Sequence, residues 1–155
     1  MRRLLFLATL ALPLSLVATA QSASLASPEC TEEGVPLHVA VDQLRSTDGN
    51  LTVTVYGSDP DDFLAAGAKL TRKRVPITGA MTEACLTVPA PGTYAIAVYH
   101  DENNDRDFNR TFVGLPDEGY GFSNDAPALV GLPSYDDAKF DVPADGRRLE
   151  IRMRY

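Results

Sequence analysis

The sequence predicts an all-β domain, a single antiparallel β-sandwich of about seven strands with an immunoglobulin-like or transthyretin-like layout. Short apolar segments with a two-residue period lead to this prediction, together with turn residues roughly every eight to twelve positions. The sequence also lacks a long amphipathic helical pattern. We assign residues 35–155 to the sandwich, after a signal peptide at 1–20 and an N-terminal arm at 21–34.

The first segment has the features of a secretory signal peptide. Two arginines precede an apolar run, and the small residues Ala18 and Ala20 provide a cleavage site. The apolar run is marginal for a spanning helix, so no membrane span is expected after cleavage at Ala20, with Ala23 as the alternative site. We expect the mature protein in the periplasm or outside the cell.

The charge of the chain excludes some partners. Acidic residues outnumber basic residues by 21 to 14, and the net charge is −7. Such a chain repels phosphate backbones, so nucleic-acid binding is not expected, whereas cations are favoured. The expected partner is an envelope ligand or protein of unknown identity.

The chain has two cysteines, Cys30 and Cys85. An oxidising compartment would join them in one disulfide, which the loop-entropy estimate values at about 4 kcal/mol. Free or metal-binding thiols are the alternative, but with two histidines and no Cys-x-x-Cys spacing a zinc or haem site is not expected.

Alternating apolar residues define the first and last strands. In the first strand Val35, Leu37, Val39 and Val41 face one way, and Asp48–Gly49 predicts a hairpin turn into a second strand at 51–56. Residues 58–67 predict one helical turn. The last strand begins near 149, with its apolar residues inward.

The middle strands differ in composition. Residues 69–77 contain four basic side chains, which are typical of a guarded edge strand. A short strand follows at 85–88, and residues 93–99 form the most hydrophobic strand of the mature chain. A weaker pattern at 138–142 completes the prediction.

A polar loop follows the most hydrophobic strand and places Asp or Asn at every second position. Oxygen ligands with this spacing suit Ca²⁺, the one cofactor that we predict. The predicted ligands are Asp101, Asn103, Asp105 and Asp107, with Glu118 completing the shell. The alternative is a solvated turn, because Asp and Asn side chains readily bond their own backbone.

A second candidate site adjoins this loop. Residues 114–124 are rich in glycine and aromatic residues, so Tyr120 and Phe122 are predicted to stack on a sugar or peptide, with Asn124 as a polar contact. The alternative is that Phe122 closes one end of the sandwich. His100 is a predicted ligand or proton carrier, against the alternative of a packed imidazole.

The segments that carry both sites resemble a family of secreted bacterial proteins known as domain of unknown function 2141. The resemblance rests on residues 92–103, Asp105, Asp107, 114–124 and the weaker segment 133–140. It implies export and a small β-domain, but no activity. This sequence departs from the family pattern at Arg106, where the family usually has glycine.

The first functional hypothesis is an exported, non-catalytic β-sandwich that binds Ca²⁺ in the acidic loop beside a ligand or partner recognition loop. Two alternatives remain open. One is a metal-assisted hydrolase acting on an envelope polymer, with His100 as its base. The other is a purely structural envelope protein.

Overall fold

The computed structural model describes residues 29–128 and 131–155. The predicted signal peptide at 1–20 and residues 21–28 of the predicted arm lie outside the described residues. The described residues form eight strands: β1 (Val35–Asp42), β2 (Asn50–Tyr56), β3 (Thr71–Pro76), β4 (Thr82–Val88), β5 (Gly92–Asp101), β6 (Tyr120–Phe122), β7 (Phe140–Val142) and β8 (Arg147–Arg152).

The strands form two sheets. The smaller sheet has the order β4-β1-β8, and the larger has the order β3-β2-β5-β6, with β7 also paired to β5. All of these pairs are antiparallel except β1 with β8, which are parallel. The prediction of an all-β fold is therefore confirmed, with the strands in two mostly antiparallel sheets. The additional strand is β6, only three residues long.

Helical structure in the described part of the chain is short. The turn predicted at 58–67 contains a 3-10 helix, Pro60–Asp62, in which the Asp61 backbone N–H donates to the Asp59 side chain. A second 3-10 segment is Ser123–Asp125, and a four-residue helix, α1, spans Tyr135–Ala138. In the ranges 29–128 and 131–155, no helix is long and apolar enough to span a membrane.

The main core lies between the inner faces of the two sheets. Period-two alternation turns every second residue of β1, β2, β5 and β8 inward, and the predicted inward set of β1 is buried. The least exposed members of this core include Leu37, Val39, Val41, Leu51, Val53, Val55, Ile96 and Ile151. These strands are held together mainly by burial of branched aliphatic side chains.

The predicted hairpin between β1 and β2 is wrong, because the two strands belong to different sheets. The Asp48–Gly49 turn instead carries the chain from one sheet to the other. Gly49 has a φ of 64°, and a Cβ atom there would lie 1.8 Å from the Asp101 carbonyl oxygen. The turn chemistry was therefore recognised correctly, but a local turn signal does not specify which strands pair.

The predicted disulfide is confirmed. Cys30 and Cys85 are 55 residues apart in the chain, and their Cα atoms are 5.1 Å apart. The bridge ties the segment before β1 to β4, the strand that pairs with β1. The edge position predicted for the basic strand is also confirmed, because β3 ends the larger sheet.

Candidate functional site

The candidate site lies on the outer face of the larger sheet. Along β5, Ile96 and Val98 belong to the main core, so the alternate residues Ala97, Tyr99 and Asp101 face outward. β5 then continues into the acidic loop, residues 101–109. The chain returns to the same face at β6, which pairs with residues 97–99 of β5.

Asp101 is fully buried and begins the acidic loop. Its Oδ2 atom forms an ion pair with the Arg74 guanidinium of β3 and accepts a hydrogen bond from the Arg106 backbone N–H at 3.0 Å. Its Oδ1 atom is buried and has no hydrogen-bond partner. Oδ2 of this carboxylate is therefore paired with a positive charge, whereas Oδ1 lacks a hydrogen bond.

The middle of the loop is held by its own side chains. Asn103 Oδ1 accepts from the Asp105 backbone N–H at 3.0 Å, and Asp105 Oδ1 accepts from that of Asp107 at 2.8 Å. Asp105 Oδ2 also accepts from the amides of Asn103 and Asn109, at 2.8 and 3.1 Å. The Asp107 N–H, followed by the two amides, lowers the pKa of Asp105. This arrangement matches the predicted self-bonded turn and also gathers oxygen donors.

Glu118 joins the two ends of the loop. Its Oε1 atom accepts from the Glu102 backbone N–H, and its Oε2 atom accepts from that of Asn109, both at 3.1 Å. Burial raises the pKa of Glu118, and the charges of Asp101 and Asp105 raise it further, against these two hydrogen bonds. The carboxylates of Asp101, Asp105 and Glu118 therefore repel one another, and a bound cation would reduce this repulsion.

The loop carboxylates do not form a compact ligand group by themselves. Within the described ranges, one group of three or more His, Cys, Asp or Glu side chains has all its ligand atoms within 4.8 Å of one another: Cys30, His38 and Cys85. Its two sulfurs are joined in the disulfide and so are not thiolate ligands. The oxygen donors of the loop suit Ca²⁺ in type, and Ca²⁺ binding there stays a prediction.

An aromatic cleft adjoins the loop on the same face. It comprises two adjacent hollows of about 210 and 360 Å³. The two hollows have five lining residues in common, namely Phe108, Arg110, Tyr120, Phe122 and Leu132, and each has further lining residues of its own. We use the term aromatic cleft for the two hollows together.

The rings of the cleft pack edge to face and connect it to the acidic loop. The Phe108 ring lies 5.9 Å from that of Tyr99 and 6.2 Å from that of Tyr120, centroid to centroid. The Tyr99 hydroxyl donates to the Arg106 carbonyl oxygen at 3.1 Å. Phe108 belongs to the acidic loop itself, so the position of the loop determines the shape of the cleft.

The residues predicted as ligand contacts divide into two groups. Tyr120 and Phe122 line both hollows. Asn124 instead donates through Nδ2 to the carbonyl oxygens of Asp137 and Lys139, at 3.2 and 2.8 Å, and so fastens α1 to the chain after β6.

His100 lies on the inner side of β5 and is fully buried. Its Nδ1 atom is 2.7 Å from the Tyr155 hydroxyl, and its Nε2 atom is 2.8 Å from the Asp48 carbonyl oxygen. Both ring nitrogens are therefore engaged at the end of the sandwich, away from the aromatic cleft. This is the environment of the packed imidazole that the sequence left as an alternative.

Sequence reasoning missed several lining residues of the cleft, including two aromatic residues and two arginines. Tyr99 could have been found from the period-two pattern of β5, because it alternates with core residues. Phe108 could have been found because it is the one aromatic residue in the acidic loop, 101–109. Arg72 and Arg110 gave no signal, since their approach depends on the pairing of β3 with β2 and on the path of the loop.

Comparison with known proteins now identifies the chain. The profile of a family described as an uncharacterized protein conserved in bacteria, domain of unknown function 2141, matches residues 39–150. The chain belongs to this family. No curated protein and no solved structure matches it.

The match to the domain of unknown function 2141 family runs from β1 to β8 and includes both the acidic loop and the aromatic cleft. Arg106 lies within the matched range and has an unusual backbone conformation for a residue with a side chain. Arg106 has a φ of 74°, in the left-handed region that glycine adopts without a Cβ penalty. The loop therefore keeps the backbone conformation of a glycine turn, and its N–H still reaches Asp101.

Proposed function

We propose that this protein is an exported, non-catalytic binding domain in which Ca²⁺, held by the acidic loop, stabilises the adjacent aromatic cleft for a ligand of the bacterial envelope. One observation carries the proposal: the loop and the cleft share Phe108, and Glu118 bonds both ends of the loop two residues before Tyr120. Ordering the loop therefore orders the walls of the cleft.

The charges of the loop support the cation. Asp101 has an unpaired buried oxygen, and the pKa of Glu118 is raised by burial and by its acidic neighbours. The oxygen donors that would hold the ion are those of Asp101, Asn103, Asp105, Asp107 and Glu118. The ion would supply positive charge that offsets their mutual repulsion, while Arg74 continues to pair with Asp101.

The disulfide supports export, because structural disulfides persist in oxidising compartments. We place the mature domain in the periplasm or outside the cell. For the layout we propose the transthyretin-like alternative. In the immunoglobulin layout the first strand lies beside the second, whereas here β1 lies between β4 and β8.

The cation proposal is tested by thermal unfolding of the secreted protein in EDTA, in excess Ca²⁺ and in excess Mg²⁺. An ion at about a hundred times its dissociation constant adds about 2.7 kcal/mol to the free energy of unfolding. For a domain of this size we expect Tm to rise by roughly 10 °C in Ca²⁺.

Two variants locate the effect. Asp105→Ala should abolish the Ca²⁺-dependent rise while the protein still folds, and Asp61→Ala, an exposed carboxylate outside the loop, should retain it. An unchanged Ca²⁺ response in Asp105→Ala would remove the ion from this loop. No response in the unmodified protein would leave the loop a self-bonded turn.

A further inference from the structure

We propose that the ligand of the aromatic cleft is an anionic carbohydrate, a glycan bearing uronate carboxylates, which Arg72 and Arg110 bind through their guanidinium groups. This inference rests on the proposed function of the cleft and specifies its ligand class. It follows from the charge, the ring arrangement and the position of the cleft.

The charge of the cleft is opposite to that of the protein. Arg72 and Arg110 are the only charged side chains among the described residues that line the two hollows. The whole chain nevertheless has 21 acidic and 14 basic residues. A positively charged recess on an acidic protein selects an anion and repels cations, because the low-dielectric walls concentrate the local field.

Both arginines are held in place and retain donors. Arg72 Nε donates to Thr54 Oγ1 at 2.9 Å, and Arg110 Nη1 donates to the Gly114 carbonyl oxygen at 3.2 Å. The Arg110 guanidinium carbon also lies 5.2 Å from the centre of the Phe108 ring. A guanidinium has five N–H donors in a planar fork, so each anchored arginine can still bind a carboxylate through two of them.

The aromatic lining suits a sugar ring. Tyr99, Phe108 and Tyr120 are each partly exposed. Their edge-to-face packing, with planes at 65° and 78° to one another, sets neighbouring rings at steep angles. A pyranose can lay its C–H face on one ring while its hydroxyl groups reach the polar groups beside it. Thr54 and Tyr56 provide such groups, next to Arg72.

The position of the cleft favours a carbohydrate over a peptide. Extended peptides commonly bind β-domains by adding a strand to a sheet edge, through main-chain hydrogen bonds. This cleft lies on a sheet face and is lined by side chains of β2, β3, β5 and β6. Its two hollows, of about 210 and 360 Å³, lie below and near the lower end of the ~300–1,000 Å³ range of typical small-molecule sites, and this size suits successive single rings of an extended glycan.

The test is calorimetric titration of the secreted protein, in Ca²⁺, with three probes of similar size. These are a galacturonate trisaccharide, the neutral galactose trisaccharide and a glutamate tripeptide. We expect the galacturonate to bind at least about tenfold more tightly than either of the others. Its affinity should fall as salt is raised, because the carboxylate–guanidinium attraction is screened.

Matched variants test whether the charges of Arg72 and Arg110 bind the galacturonate. Arg72→Gln and Arg110→Gln should each weaken galacturonate binding by about tenfold. Lys69→Gln removes the same charge from an exposed position outside the lining and should leave the affinity unchanged. Equal weakening in all three variants would indicate a general charge effect and overturn the assignment.

The remaining outcomes separate the ligand class from the proposed function. Equal affinity for the neutral sugar, lost in Tyr120→Ala but kept in both arginine variants, would keep the cleft as a binding site and overturn the anionic ligand. Tighter binding of the peptide, or no binding of galacturonate, would overturn the carbohydrate. The Ca²⁺-dependent rise in Tm would still report on the loop in each case.

Discussion

The two faces of the larger sheet are built from the same strands but differ in what they bury. On the inner face, Ile96 and Val98 pack against the smaller sheet in a purely apolar core. On the outer face the alternate residues include small, aromatic and polar side chains, and the buried carboxylate of Asp101 lies among them. Arg74 pairs with this carboxylate through Oδ2, but a buried carboxylate oxygen without a hydrogen-bond partner, such as its Oδ1, opposes folding, so stability alone does not explain Asp101 on the outer face.

Adjacent residues of β5 make the difference clear. His100, on the inner side, engages both ring nitrogens with Tyr155 and Asp48. Asp101, on the outer side, pairs with Arg74 but leaves Oδ1 without a partner. His100 satisfies its polar atoms, whereas the outer face leaves buried polar atoms of Thr52, Arg74 and Asp101 without a partner, so a search for ligands belongs on the outer face.

The largest expected effect tests the inner face. Ile96→Ala removes a fully buried side chain between the sheets and should lower the free energy of unfolding by about 3 kcal/mol. The matched outer-face variant Tyr99→Ala, at a partly exposed position, should cost about 1 kcal/mol. Urea unfolding of both variants measures the contrast, and equal losses would contradict the division of roles between the faces.

The next effect concerns the ion pair between Arg74 and the buried carboxylate of Asp101 on the outer face. Arg74→Ala leaves the Asp101 carboxylate without its cation and should cost about 2 kcal/mol, moderated because Arg74 is itself partly exposed. Adding Asp101→Asn should recover part of this loss. Arg72→Ala, one alternate position along β3, serves as the control and should cost under about 1 kcal/mol. A double-mutant cycle with no coupling would show that the pair does not stabilise the face.

The smallest expected effect on stability concerns the ion pair between Arg45 and Glu102. This pair lies beside His100, at the solvent-exposed end of the inner face. Arg45 lowers the pKa of Glu102 below its ordinary value of 4.5. The stabilisation is thus present above pH 4.5 and disappears as the pH falls through the lowered folded-state pKa.

Because both side chains are partly exposed, this contribution should stay below about 1 kcal/mol. The measurement is Tm of the unmodified protein and of Glu102→Gln between pH 7 and 3. The two curves should converge at the acid end. A constant difference across that range would show that another interaction of Glu102 is responsible.

The positions of most strands could be predicted from the sequence, but which strands pair with one another in the sheets could not. Alternation identified β1, β2, β5 and β8, because one face of each strand is apolar. The parallel contact of β1 with β8 and the separation of β1 from β2 depend on distant residues, on which a local turn such as Asp48–Gly49 has no influence. β6 was missed because three residues around Gly121 are too few to show a period.

Some residues of the candidate site could likewise be predicted from the sequence, and others could not. The composition of the loop and the aromatic pair Tyr120 and Phe122 stood out because such residues are unusual in a connection. The contribution of Arg72 depends on the register that places it opposite Thr54, and register cannot be obtained from one strand alone. His100 and Asn124 attracted attention through residue type, but their contacts place them outside the cleft.

The parallel pairing of β1 with β8 also determines when the domain can close. β1 begins the domain and β8 ends it, so the smaller sheet stays incomplete until almost the whole chain is available. Contacts between such distant segments form slowly, because the loop-closure entropy is lost before they stabilise the fold. Docking of β8 onto β1 is therefore expected to be a late step, so a chain that lacks its last strand should leave one edge of β1 unpaired.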